Sequence, residues 1–172
     1  KKMNKQVNHP YIDLAGILHI ALVVNDVHEA MQAWSEWTGI EQSAMNLRLK
    51  GITGENKDPR DHFRDDYEYG TTEDYGFWEA DVDLPNGLRI ELIQPEPGKG
   101  PFREYYDKHG TGIHHIAFRC GEDSDALNDA LEAAGYPYIV DTYHKNLDRW
   151  PVHDTESVMG TNLCIKPGQK NP

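Results

Sequence analysis

Apolar and polar positions along this chain fall into a pattern that occurs twice. Residues 16–24 form a near-continuous apolar run, Gly16-Ile17-Leu18-His19-Ile20-Ala21-Leu22-Val23-Val24, interrupted by one histidine. A short run of this kind reads as a buried strand. The period then changes to three-and-four, and Val27, Ala30, Met31, Trp34 and Thr38 share one face of a helix over 26–38. Asn25 or Asp26 can cap that helix, and Gly39 supplies a left-handed stop. The same sequence of signals returns downstream. A strand over 112–120, Gly112-Ile113-His114-His115-Ile116-Ala117-Phe118-Arg119-Cys120, precedes a helix over 124–134 with Leu127, Leu131 and Ala134 inward and Gly135 as its stop. His115 follows His19 by 96 residues, and Gly135 follows Gly39 by the same 96. Strand, helix and stop in one register describe an internal repeat.

Each helix is followed by strand-like segments. The first half offers 42–50, 76–84 and 88–94, the last two joined by the turn Pro85-Asn86-Gly87. The second half offers 137–142, 149–154 and 161–166. Both halves therefore read β-α-β-β-β, an α+β architecture of two tandem modules. One domain spans 16–168: module one over 16–95, a linker over 96–111 with a short helix at 102–109, and module two over 112–168. Residues 1–15 form an N-terminal extension. An insertion at 51–75, charged and aromatic, is long enough to suggest a lid or a disordered segment. Trp34 and Trp37 lie on the first helix and read as core packing.

Composition narrows the class of partner. With 17 Lys+Arg against 29 Asp+Glu the 172-residue chain carries a formal charge of −12. That balance argues against unaided binding to nucleic acid or to an anionic membrane. The longest apolar run, 17–24, is too short to span a bilayer. No signal-peptide pattern opens the chain, and two cysteines, Cys120 and Cys164, make no disulfide framework. The expectation is a cytoplasmic protein that binds a small molecule.

Candidate chemistry concentrates on the repeat. A lone histidine in an apolar strand is usually a satisfied core residue, but equivalent histidines in two repeats meet when the modules pack about a pseudo-two-fold axis. Glu91 adds a carboxylate in the apolar strand Leu88-Arg89-Ile90-Glu91-Leu92-Ile93-Gln94-Pro95. Burying a carboxylate is costly unless it is paired or binds a metal. A partnering arginine is one solution for Glu91. The other joins it to His19 and His115 as ligands for a divalent ion of the Zn, Mn, Fe, Co or Ni group.

At these residues the chain resembles the vicinal oxygen chelate superfamily, which includes glyoxalase I, methylmalonyl-CoA epimerase, bleomycin-resistance proteins and extradiol dioxygenases. Leu18-His19-Ile20, His114-His115-Ile116-Ala117-Phe118 and Ile90-Glu91-Leu92-Ile93-Gln94-Pro95 carry the resemblance, closest to the epimerase and glyoxalase-like branch. It implies a cup-shaped mixed sheet around one metal held by His19, Glu91 and His115, and it leaves room for a homodimer. His115 is preferred to His114 because it aligns with His19. The fourth family position departs. If Gly87 and Gly160 are equivalent, Glu91 and Cys164 both stand four residues on, and many members carry glutamate where this chain has Cys164. Cys164 is then a soft ligand, a thiol behind the ligands, a catalytic candidate or plain packing, and the general base is unassigned.

Strand alternation extends the candidate site. Arg89 shares a face with Glu91, Arg119 with His115, and Asn162 and Lys166 with Cys164. These four are substrate-binding candidates suited to an anionic or enolate-forming molecule, unless the cations pair with surface carboxylates. One of Phe77 and Trp78 faces inward, and Trp78 is taken as the candidate. His62, His109, His144 and His153 read as surface or loop. The resemblance implies a metal-dependent epimerase, isomerase or lyase. An Fe(II)-dependent dioxygenase and a ligand-sequestering resistance protein are the alternatives.

Overall fold

Both apolar runs become central strands, and they pair with each other. In the computed structural model, which describes residues 12, 16–55, 57–64, 74–120, 124–143 and 149–167, β1 (Ile17–Val23) lies antiparallel to β6 (Gly112–Cys120). The extension at 1–15 (Ile12 apart), residues 65–73 of the insertion and His144 lie outside the described residues. Around this pair the modules build outward alike. In module one come α1 (Val27–Thr38), β2 (Arg48–Ile52), β3 (His62–Phe63), β4 (Tyr75–Asp83) and β5 (Arg89–Pro95). Helix α2 (Pro101–His109) fills the linker. After β6, module two adds α3 (Ser124–Ala133), β7 (Tyr138–Asp141), β8 (Val152–His153), α4 (Glu156–Met159) and β9 (Asn162–Pro167). The described strands form one sheet in the order β2-β4-β5-β1-β6-β9-β8-β7-β3. β1 runs parallel to β5, β6 runs parallel to β9, and the other pairs are antiparallel. The mixed sheet expected from the sequence is present.

Period-two alternation gives the sheet two apolar faces. On the outer face α1 buries Val27 and Met31 against Ala80, Val82, Ile90 and Leu92, while α3 buries Leu127 and Leu131 against Phe118, Leu163 and Ile165. The other face carries Ala21, Val23, Phe77 and Ile93 in module one, and Ala117, Ile139, Val152 and Cys164 in module two. Phe102 of α2 packs into the first of these clusters. The caps follow local chemistry: Asp26 Oδ1 accepts from the backbone N–H groups of His28 and Glu29, and Gly39 adopts φ 75°.

Several boundaries differ from the sequence reading. Residues 42–44 form a single 3₁₀ turn, and the strand expected at 42–50 starts only at Arg48. Asn46 takes a positive φ of 46°, which asparagine tolerates and which breaks an extended run. Trp34 packs beneath α1, but Trp37 lies off the apolar stripe and is 89% exposed. The strand expected at 149–154 shrinks to two residues. His153 is buried there, with Nδ1 2.8 Å from the Tyr136 carbonyl and Nε2 2.9 Å from Asn128 Oδ1. The insertion docks onto module two: β3 pairs with β7, Asp61 accepts from the Tyr143 backbone N–H, and Arg64 reaches Asp154 at 2.5 Å. None of its described residues lines the cavity below.

Arg149 secures the end of β7 with two bonds to fully buried Asp141, at 2.9 and 2.7 Å. Arg149→Ala leaves that carboxylate buried and unpaired, a loss on the order of 3–5 kcal/mol. Thermal unfolding should shift down by roughly 10 °C for a chain of this length. Replacing both partners with apolar residues, Arg149→Met with Asp141→Leu, should recover most of it.

Candidate metal centre

Two β-bulges aim the histidines. In the β1–β6 ladder Ile17 faces Phe118 and His19 faces Ala117, so Leu18 is an extra residue on β1. Farther along, Ala21 faces His115 and Leu22 faces Ile113, which makes His114 the extra residue on β6. Leu18 and His114 occupy equivalent repeat positions, so each bulge immediately precedes its histidine. Bulges re-aim side chains in this way near functional sites. His19 Nε2 and His115 Nε2 then face each other at 3.1 Å, both rings buried. Glu91, on the neighbouring β5, places Oε1 3.2 Å from His19 Nδ1.

The donor set fits a divalent ion. One donor atom from each of His19, Glu91 and His115 lies within 4.8 Å of the others. Two nitrogens bound to one ion at about 2.0–2.1 Å stand about 2.9–3.4 Å apart between octahedral and tetrahedral angles. The observed 3.1 Å falls inside that interval. Burial first, then the positive field of Lys166, lowers the His19 pKa well below its ordinary value. Burial followed by neighbouring His114 and His19 does the same to His115. Both rings are thus neutral, as ligation requires. Burial and then the charge of Glu79 push the Glu91 carboxyl up to about 7, an unfavourable environment for an anion that an adjacent cation would relieve.

These groups open onto a cavity of about 350 Å³, at the small end of ligand-site volumes. One wall is charged. Glu79 and Asp81 of β4 are buried on the Glu91 side of the sheet, and Lys50 Nζ binds both Glu79 oxygens at 3.1 Å. Arg48 bonds Glu79 and, at 2.8 Å, Asp81. Arg89 reaches Asp83 at 2.7 Å and Asp81 at 3.4 Å. Lys166 lines the cavity with no carboxylate in ion-pair distance among the described residues. The other wall is aromatic: Trp150 stacks on Phe102 with centroids 5.7 Å apart, and Phe77 packs edge-on against Phe102 at 4.7 Å.

Of the sequence candidates, the structure brings His19, Glu91, His115, Arg89 and Lys166 to this cavity. Four others, Trp78, Arg119, Asn162 and Cys164, stand elsewhere. Trp78 points to the outer face and packs with the α1 cluster, so Phe77 is the inward member of that pair. Arg119 is exposed four residues beyond His115, near the end of β6 and away from the cavity. Asn162 is buried opposite His115 on the neighbouring β9, donating from Nδ2 to the His114 carbonyl at 3.0 Å. Glu79, Arg48, Lys50, Phe102 and Trp150 went unrecognised in the sequence. Cys164 is fully buried among Ala117, Ile139 and Val152, outside the His19–Glu91–His115 group. Burial pushes its thiol up to about 12, far from a thiolate. Cys164→Ser should therefore hold Co(II) as tightly as wild type, with no sulfur charge-transfer band in either spectrum. Its cost should fall on stability, roughly 1–3 kcal/mol for a buried hydroxyl lacking a partner.

The fold and site together define a two-module β-α-β-β-β protein with a two-histidine, one-carboxylate centre in a small charged cup. The chain belongs to the Glyoxalase/Bleomycin resistance protein/Dioxygenase superfamily, whose profile matches residues 18–152. Methylmalonyl-CoA epimerase from Mycobacterium tuberculosis has the same fold, with a TM-score of 0.60 at 18% identity over 98% of this chain and 95% of that one. Streptomyces coelicolor methylmalonyl-CoA epimerase in complex with 2-nitronate-propionyl-CoA gives 0.58 at 16% identity over 90% and 97%. Among curated proteins, the uncharacterized protein YqjC of Bacillus subtilis (strain 168) is 33% identical over 64 residues. That match spans 37% of this chain and 39% of YqjC. Among the described residues no helix is long and apolar enough to cross a membrane.

Proposed function

We propose that this protein is a metal-dependent epimerase, isomerase or lyase acting on a small, anionic, enolisable carbonyl compound. The reading is carried by the opposed Nε2 atoms of His19 and His115, 3.1 Å apart beside Glu91 in a cavity lined by Arg48, Lys50, Arg89 and Lys166. His19, Glu91 and His115 would hold a divalent ion, which when bound polarises a carbonyl and acidifies the adjacent C–H. Lys166, which lines the cavity with no carboxylate in ion-pair distance among the described residues, draws in the substrate's anionic group. Phe77, Phe102 and Trp150 form the aromatic wall of the cavity. Glu79 accepts the proton: its carboxylate lines the cavity, and one of its oxygens lies within 4.8 Å of a Glu91 oxygen. The C–H bond breaks, the proton passes to Glu79, and the electron pair moves onto the substrate carbonyl oxygen to give an enolate. Glu79 returns the proton to the neighbouring carbon to complete isomerisation; for epimerisation water delivers a proton to the opposite face and Glu79 releases its own to solvent. The epimerase structures of the same fold, one with a CoA ester analogue bound, support this reaction class.

The test is deuterium wash-in. Protein loaded with Mn(II), Co(II), Ni(II) or Zn(II) is incubated in D₂O with a panel of small 2-oxo acids, hydroxy-ketones and acyl thioesters, and the carbon beside the carbonyl is followed by NMR. Exchange that disappears on chelation and returns with metal is the expected result. Oxygen uptake with Fe(II) and a catechol, without exchange, would establish the dioxygenase instead. Tight binding without turnover and without metal would establish a sequestering protein.

A further inference from the structure

The bulge at His114 turns its side chain to the same side as that of the next residue, although consecutive strand residues ordinarily face apart. His114 is buried, with its ring in contact with those of Phe102 and Tyr105, at 4.7 and 5.2 Å between centroids. Its Nδ1 lies 2.8 Å from Nδ1 of His115. The Pro101 carbonyl also hydrogen-bonds the His114 ring. A carbonyl can only accept, so the ring nitrogen that meets it carries a proton. In a neutral ring the other nitrogen is then an acceptor. That acceptor is Nδ1, which takes a proton from Nδ1–H of His115 and leaves the lone pair of His115 on Nε2. Nε2 is the atom that faces His19 Nε2. Asn162 completes the arrangement by donating to the His114 carbonyl, which holds the bulged backbone.

We infer that His114 is a positioning residue: with the Pro101 carbonyl and Asn162 it fixes the Nδ1–H tautomer of His115 and presents the Nε2 lone pair to the metal. The inference rests on the metal-site reading for its purpose, but the tautomer exists in the protein without metal. Ligating histidines ordinarily have their second ring nitrogen held by a carboxylate, carbonyl or water, and loss of such a partner costs about 10–100-fold in metal affinity. Here the partner is a second imidazole.

Two variants separate this role from packing. His114→Phe keeps an aromatic ring against Phe102 and Tyr105 but removes the acceptor. His114→Asn places an amide oxygen near the position of Nδ1. In metal-free, ¹⁵N-labelled wild-type protein, long-range ¹H–¹⁵N correlations should show His115 protonated at Nδ1. In His114→Phe the Nε2–H tautomer should become populated, and Zn(II) affinity by chelator competition should fall about 10–100-fold with the far-UV spectrum unchanged. His114→Asn should restore most of that affinity. An Nε2–H tautomer of His115 in wild type, or wild-type Zn(II) affinity in His114→Phe, would overturn the inference. Should wild type bind no metal at all, the metal-site reading fails, and the tautomer measurement alone decides the relay. Should His114→Phe fail to fold, the wild-type tautomer and the His114→Asn affinity decide it.

Discussion

Metal-free protein reloaded with Zn(II) or Co(II) and passed through gel filtration should retain close to one ion per chain, and His115→Ala less than a tenth of that. On this reading each chain would supply three donors from three strands: His19 from β1, Glu91 from β5 and His115 from β6. Four-ligand structural zinc sites bind with about 10–16 kcal/mol, or roughly 3 kcal/mol per ligand, so losing one donor weakens binding by about 10² or more. The loss should be larger for His115 than for Glu91. The buried Glu91 carboxyl sits at about 7 without a cation, so part of its binding energy is spent in removing a proton at neutral pH. His19→Ala should resemble His115→Ala, because each imidazole faces the other across the ion's position. Elemental analysis gives the stoichiometry, and circular dichroism shows that the emptied variants stay folded. Full occupancy in His115→Ala would remove His115 from the site, whatever the activity.

The meeting of His19 and His115 was legible because a repeat leaves a mark that no single strand leaves. His19 and His115 share a register with two glycine stops, and the β1–β6 pairing that brings them together is the centre of the sheet. Cross-strand geometry was not legible to the same degree. Trp78 and Phe77 are neighbours, and one residue of register decides which faces the cup. That register was available through the Pro85-Asn86-Gly87 turn, since pairing Asp83 with Arg89 sets Asp81 opposite Glu91 and puts Phe77, Glu79 and Asp81 on one face. Following alternation within one strand, without carrying it across the hairpin, left Glu79 unseen. Arg119 shows the opposite error: alternation assigns a face but says nothing of how far along a strand the cavity extends. His114 could not have been placed by either rule, because a bulge suspends the alternation on which both depend. Phe102 and Trp150 enter from the linker helix and from the segment before β8, and only tertiary packing brings them over β4.

Glu79→Gln should lower kcat by about 10²–10⁴ on whichever substrate shows exchange, while leaving metal content unchanged. The residue is well placed for that division of effects. It lies on β4, next to the β5 strand of Glu91, so its carboxylate borders the proposed donors without being one of them. Lys50 and Arg48 hold it from the side of β2, which fixes its direction into the cavity. Glutamine preserves the shape and can still accept from Lys50 and Arg48, but it cannot take a proton from carbon. Substrate affinity is expected to change little, because Lys166 on β9, unpaired among the described residues, is the group proposed to hold the anion. Lys166→Met should show the reverse pattern, a raised KM with kcat nearly retained, as expected when an interaction equal in ground and transition states is removed. Measured together, the two variants separate proton transfer from anion capture. A Glu79→Gln enzyme with wild-type kcat would move the base elsewhere in the cup, and an equal fall in kcat for both variants would show that Lys166 acts in the transition state as well.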